Sequence, residues 1–344
     1  MVHLDARRRA VLRAVVEEHI RSAEPVGSEH RALREQLGVS PATIRSAMAG
    51  LEEMGLLTHP HTSAGRVPTD RGYRVYVDML LEDEPLSQAE RQAIRRQLGG
   101  AAETPVDLLD QAAHVLAAIA QYASVVATPG LRQQRFQALH LLPLGEQRAL
   151  AVIITGTGAV QGRPITLPAG VASDDLDELS RVITQRLQGS LLADLTDERL
   201  ERVVGEASRY HQLLEALRAW LRRDLARGAR LRLRVEGVRH LLREPEFRRP
   251  DVATTVLEAL LDEESVLGQA LAAAPGEGVW VSIGTENRFE ELRACSLVVA
   301  GYRAGGRLAG VVGLVGPTRM RYRRAVAAVR YVADRLSEVL DATA

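Results

Sequence analysis

Gly38-Val39-Ser40-Pro41-Ala42-Thr43-Ile44-Arg45-Ser46-Ala47-Met48-Ala49-Gly50-Leu51-Glu52-Glu53-Met54-Gly55 is the stretch whose reading decides the fold. Ile44, Met48 and Leu51 stand at i, i+4 and i+7, which puts them on one helical face and turns Ala42, Thr43, Arg45, Ser46 and Ala49 to the other. Ser40 is placed to cap this helix, and Pro41 takes its first position, where a missing N–H is harmless. The helix runs to Met54 and Gly55 ends it. Just upstream, Ser28 is a plausible cap for a short helix through Leu37, with Gly38 at the left-handed position beyond its end. Two helices joined by so tight a turn form a helix-turn-helix.

Working outward, a longer helix from about Leu4 to Ala23 carries Val11, Leu12, Val15, Val16 and Ile20 at spacings of three and four, and Pro25-Val26-Gly27 breaks it. On the other side, Leu56 to His59, a turn from Pro60 to Gly65, and Arg66 to Thr69 read as strand, exposed turn and returning strand. Three helices followed by a hairpin make a winged helix-turn-helix. The outward face of the third helix is small, polar and basic, which suits a major groove roughly 12 Å wide. Arg45 can fork onto guanine or a phosphate, and Thr43 and Ser46 can bond either, with Ser40 and Ala42 at the same end of the helix. On the wing, His61, Thr62, Ser63 and Arg66 surround an Ala64-Gly65 tip suited to a phosphate backbone or a minor groove, and Arg71 completes the candidate set. Winged helices also serve as protein-interaction modules, in which case Arg45 is a solvated charge. Residues 31–74 carry six Arg against four carboxylates, a net +2, so useful affinity for DNA calls for two copies on one duplex.

The whole chain has 344 residues, which at roughly 150 per domain points to two or three compact units. With 46% apolar and 26% charged residues it has the composition of an ordinary globular protein. Its 44 basic residues balance 44 acidic ones, and all 44 are Arg. The absence of Lys removes the Walker A phosphate loop, Schiff-base chemistry and any Lys general base. The single cysteine, Cys295, cannot form an internal disulfide and fits a reducing cytoplasm as a small buried thiol. The first ten residues hold no apolar segment and no run of 18 apolar residues follows, so neither export nor a membrane span is expected.

The acidic run Glu82-Asp83-Glu84-Pro85 places a domain edge near residue 80. Beyond it come a helix from about Ala89 to Leu98 and an apolar helix from Val106 to Val126. Phe136 to Leu144, Arg148 to Thr155 and Val160 to Leu167 then read as a three-stranded meander. Helical patterns follow at Asp174 to Leu187, Asp197 to Val204 and Glu206 to Ala226. Strand signals return at Leu231 to Val235, Val279 to Ile283, Ser296 to Tyr302 and Leu308 to Val315, before a final helix capped near Thr318. This order describes an α+β protein with a winged helix-turn-helix at 1–80, an α+β unit made from 81–135 and 229–344, and an insertion at 136–228.

No enzyme constellation emerges. Gly156-Thr157-Gly158 with Gly162 lacks dinucleotide-binding spacing and reads as a hairpin turn. Gly310, Gly313 and Gly316 before Pro317 could cradle a phosphate beside Arg319, but close packing against the last helix is the plainer reading. His59 and His61 share a turn while His114, His140, His211 and His240 are isolated, so no metal-ligand spacing exists and neither metal nor cofactor is expected.

With these residues in view, the chain resembles the HrcA family of bacterial heat-inducible transcription repressors. The resemblance rests on the opening Leu4-Asp5-Ala6-Arg7-Arg8-Arg9, on Glu24-Pro25-Val26-Gly27-Ser28, on Gly38 to Arg45, on Leu51 to Leu57, and above all on His61 to Arg74. At the other end it rests on Ile283-Gly284-Thr285-Glu286-Asn287, Cys295 to Val298 and Gly313 to Tyr322. It implies that the α+β unit is a GAF-like domain and that the insertion is an inserted α+β dimerisation domain. It further implies a homodimer on double-stranded DNA carrying an inverted-repeat operator, repression of chaperone operons, and activity maintained by the GroEL chaperonin. The chain departs from the family pattern after Arg45, where Ser46, Ala47, Met48, Ala49 and Gly50 replace the usual Asn, Glu, Met, Ala and Asp. Losing an amide at 46 removes a possible bidentate adenine contact, which bears on the identity of the operator and not on DNA binding itself. Two other functions compete with the repressor: a winged-helix regulator answering a small molecule bound by the GAF-like domain, and a protein-interaction module that does not bind DNA.

Overall fold

A computed structural model describes residues 4–60, 65–82, 84–99, 105–128, 134–145, 147–156, 160–204, 215, 217–219, 232–261, 266–272 and 278–343. Its first unit begins with α1 (Ala6–Ser22), capped by the Asp5 carboxylate, which accepts the Arg8 N–H at 2.7 Å. Next come α2 (Arg31–Leu37) and α3 (Pro41–Glu53). Gly38 adopts φ +62°, the left-handed conformation that lets the chain reverse between them. Ser28 is not the cap of α2, which starts at Arg31 with His30 before it and no side-chain cap bond. The hairpin is short: β1 (Leu57–Thr58) pairs antiparallel with β2 (Val67–Pro68). Val26, read from sequence only as part of a helix break, joins it through mutual backbone bonds with Arg66 at 2.9 Å.

Sequence reading left 70–80 unassigned, yet α4 (Asp70–Val75), capped by Thr69, runs directly into a π-helical turn at Tyr76–Leu80. Tyr73, Tyr76 and Leu80 are buried there, and their spacing of three and four was the available signal.

Two helices, α5 (Gln88–Leu98) and α6 (Pro105–Ala120), lead to a strand the sequence concealed. The expected helix to Val126 stops at Ala120, Gln121 takes φ +59°, and β3 (Ala123–Thr128) follows. Its residues are buried on both faces, and such a run carries no period that separates strand from buried helix. β3 lies inside an antiparallel five-stranded sheet with β7 (Arg232–Glu236), β8 (Val279–Ile283), β9 (Cys295–Ala304) and β10 (Arg307–Pro317), in the order β7-β3-β10-β9-β8.

Helices cover both faces of this sheet. Along β10, Val312 and Leu314 face the core shared with α5, α6 and the last helix, α11 (Tyr322–Thr343). Val311 and Val315 face α9 (Pro250–Leu261) and α10 (Val266–Ala272), neither of which was expected from the sequence. Alternate residues supply the two cores because strand side chains alternate between faces. Tyr322, not Thr318, opens α11; the Thr318 carbonyl instead accepts the Tyr322 hydroxyl at 2.5 Å. Gly310, Gly313 and Gly316 each leave less than 3 Å between a would-be Cβ and a neighbour, so they serve close packing. Cys295 is fully buried, and burial pushes its thiol up to about 12.

Between the adjacent strands β3 and β7 the chain makes an excursion with its own core. There β4 (Phe136–Gly145), β5 (Arg148–Thr155) and β6 (Val160–Thr166) form the expected meander, in the order β4-β5-β6. α7 (Ser173–Leu187) packs Leu176, Leu179 and Ile183 on one face of it, and α8 (Asp197–Val204) follows. The helix expected at Glu206 to Ala226 falls almost wholly outside the described residues. Among the described residues no helix is long and apolar enough to cross a membrane, and no group of His, Cys, Asp or Glu is arranged to hold a metal.

Candidate nucleic-acid interface

α3 presents its two faces as its periodicity requires. Ile44, Met48 and Leu51 are fully buried, while Ala42, Arg45 and Ser46 are exposed and Thr43 is half-buried. Ser40 Oγ accepts the Thr43 N–H at 3.2 Å and lies 2.9 Å from Thr43 Oγ1, so capping engages both hydroxyls at the helix start. The Arg45 guanidinium reaches into solvent, 63% exposed, and among the described residues meets the similarly exposed Glu29 carboxylate at 3.5 Å. An ion pair so exposed is worth little and yields readily to a competing anion.

Two arginines differ in what the fold asks of them. Arg66 donates from Nε to Glu52 at 3.0 Å, lies against Met48 and is only 14% exposed, so its charge is engaged in binding the hairpin to α3. Arg71, on α4, stays exposed. His61, Thr62 and Ser63 lie outside the described residues.

Arg8 stands in the opening segment that carries the resemblance but outside the candidate contact set. Its guanidinium crosses from α1 to α3, where a Cβ on Gly50 would stand 3.0 Å from Nη2, and its own partner is Asp5 at 3.5 Å. Gly50, one of the departures after Arg45, lets the guanidinium lie close against the α3 backbone, and a side chain there would push it aside by a few tenths of an ångström.

Behind this surface a buried network holds α1 and α4 against the five-stranded sheet. His19 Nδ1 lies 2.6 Å from the Tyr73 hydroxyl. Burial first, and the Arg319 guanidinium second, lower His19 to about 4, against a smaller opposing pull from Glu246. Arg319 is clamped by Glu244 and Glu246, both at 2.5 Å, and donates to the Ile20 carbonyl at 3.3 Å. The Tyr73 ring sits 6.0 Å from that of Tyr322, whose hydroxyl lies 2.7 Å from Ser296 Oγ.

The HrcA protein C terminal domain matches residues 106–326. The Heat-inducible transcription repressor HrcA of Moorella thermoacetica is 38% identical over 341 residues, covering 99% of both chains. That of Symbiobacterium thermophilum is also 38% identical, covering 98% of both. A crystal structure of a hypothetical protein superposes with a TM-score of 0.61 at 25% identity, covering 99% of this chain and 100% of that one. The class these matches define is that of the heat-inducible transcription repressors. The chain belongs to the HrcA family.

Proposed function

We propose that this repressor is a cytoplasmic homodimer that reads an inverted-repeat operator through two winged helix-turn-helix units, with Arg45, Ser46, Thr43 and Ala42 of α3 in the major groove. The exposed face of α3 carries this reading: small and polar, with one lightly held guanidinium and its apolar residues all turned inward. Ser40 contributes as the cap that fixes the helix start, and Arg71 and Arg8 are placed as phosphate contacts on either side. The wing residues His61, Thr62 and Ser63 belong to the same proposal. Arg66 holds the wing in place.

Dimerisation is assigned to the meander. The face of its sheet turned away from α7 presents Leu142, Leu150, Pro164, Val152, Ile154 and Val160, aligned across three strands by the registers Leu142↔Leu150, Leu150↔Pro164 and Ile154↔Val160. Leu142 is 49% exposed and Val160 60%. A sheet apolar on both faces needs a partner on the second, and a two-fold copy of itself supplies a self-complementary one.

In this reading the three units are 1–80, the GAF-like unit of 81–135 with 229–344, and the inserted dimerisation unit 136–228. The operator controls chaperone genes, and the GroEL chaperonin keeps the repressor active; adding chaperonin to heat-treated protein should then restore operator binding. The primary test is anisotropy of a labelled operator duplex with wild type and Arg45→Ala. Loss of affinity for the operator with little change on random duplex supports direct reading by Arg45, and equal affinity of both proteins removes it.

A second reading, a regulator answering a small molecule, is favoured by one feature. A cleft of about 700 Å³ opens between the π turn and β8, lined by Val77, Leu81, Val279, Val326 and Arg330. Its size is that of a ligand site. A metabolite that shifts both the melting temperature and operator affinity would establish it.

A further inference from the structure

Two stretches more than two hundred residues apart in sequence meet where the DNA-reading unit rests on the edge of the five-stranded sheet. Asp70 Oδ2 accepts both the N–H and the Oγ1–H of Thr285, each at 2.8 Å. Arg74 donates from Nε and Nη2 to the Glu286 carboxylate at 2.8 and 2.5 Å, and from Nη2 to the Val281 carbonyl at 2.7 Å. Glu286 also accepts the Ile283 N–H at 2.9 Å. Val281 and Ile283 belong to β8, an edge strand, so the Arg74–Glu286 pair satisfies backbone groups that would otherwise be bare. Between them Gly284 turns at φ +53°, and a Cβ there would stand 2.3 Å from the Asp70 carboxylate. A bidentate guanidinium and a doubly donating Thr285 are directional contacts, and they fix an angle as well as a distance.

We propose that Asp70, Arg74, Thr285 and Glu286 are positioning residues that set the separation of the two α3 helices in the dimer, and hence the half-site spacing this repressor accepts. This rests on the reading above of a dimer on an inverted repeat. The apolar sheet that would join two copies belongs to the excursion between β3 and β7, whereas α3 belongs to the N-terminal unit. The place of one α3 relative to the other is therefore set by the join between the two meanders and by the seat of the N-terminal unit on the sheet, where the Tyr73–Tyr322 and Arg319–Ile20 contacts hold the head and the Asp70 and Arg74 contacts fix its angle. A two-fold axis repeats any change in docking angle on the other side. A docked head holds the second half-site at a high effective concentration only when the operator spacing matches, and a loosened head tolerates many spacings at lower affinity.

Thr285→Val and Glu286→Gln test this in the full chain, since both replace exposed side chains by others of near-equal volume, remote from the α3 face. A half-site is first obtained by selection from random duplexes with wild type. Anisotropy is then measured on the single half-site and on inverted repeats whose arms are moved apart one base pair at a time through one helical turn. Wild type should prefer one spacing. The variants should bind the single half-site as wild type does, lose about tenfold at the preferred spacing, and show a flattened spacing profile. An unchanged profile overturns the inference, as does equal loss on the half-site and the full site. Wild type binding the repeat no better than the half-site defeats the dimer–operator reading itself, which separates that failure from this one.

Discussion

Arg45 and Arg66 were indistinguishable as basic residues of a winged helix, and the fold gives them different work. Arg45 projects from the outer face of α3, so Arg45→Ala should cost about 1–3 kcal/mol of operator affinity if it forks onto a base. Arg66 is sequestered by Glu52, fourteen residues away in sequence and on the neighbouring element. No periodicity within α3 or the hairpin could announce that pairing. The phosphate contact proposed for Arg8 is tested by Arg8→Ala, which should weaken specific and random duplexes alike and reduce the salt slope by about one. His19 carries a pH prediction. Its pKa in the folded chain, about 4, lies below the ordinary 6.5, so the unfolded chain binds the proton more readily. The stabilisation is therefore complete above pH 6.5 and declines as the pH falls towards 4, by about 1–3 kcal/mol. Melting followed from pH 7 to 4.5 should show a steeper fall for wild type than for His19→Asn, and parallel curves would contradict the assignment.

Elements were legible where one face is buried and the other wet. α3 declared itself through Ile44, Met48 and Leu51, and the meander through the alternation along β5, where Ala149, Ala151 and Ile153 are buried. β3 was not legible because both its faces are covered, one by α6 and the other by the layer of α9 and α10. α4 escaped because it is only six residues long and its apolar spacing continues into the π turn at Tyr76–Leu80, where a domain edge was expected. The cap at Ser40 was read correctly and its weight can be measured. Ser40→Ala should destabilise the folded chain by about 0.5–2 kcal/mol, because the Thr43 N–H loses its acceptor at the helix start. A thermal melt unchanged by this substitution would show that the cap contributes nothing.

For the whole molecule, the proposed segmentation into a head, a sheet unit and an excursion follows from composition breaks and period changes. The way the pieces meet does not, because Asp70 with Thr285 and Tyr73 with Tyr322 are contacts that only tertiary structure brings together. Dimerisation through the meander gives a direct prediction. Leu150→Asp places a charge between Leu142 and Pro164 on the apolar face of the meander, so sedimentation should report monomers where wild type gives dimers, and persistent dimers would move the interface elsewhere. The central claim is that two such reading heads bind a symmetric operator with sequence selectivity. It is tested most directly by fluorescence anisotropy of the full chain on the inverted repeat and on a scrambled duplex across a salt series. Tight binding to the repeat alone is expected, with an affinity that falls steeply as salt rises. Equal affinity for both duplexes, or no binding to either at low salt, would contradict it.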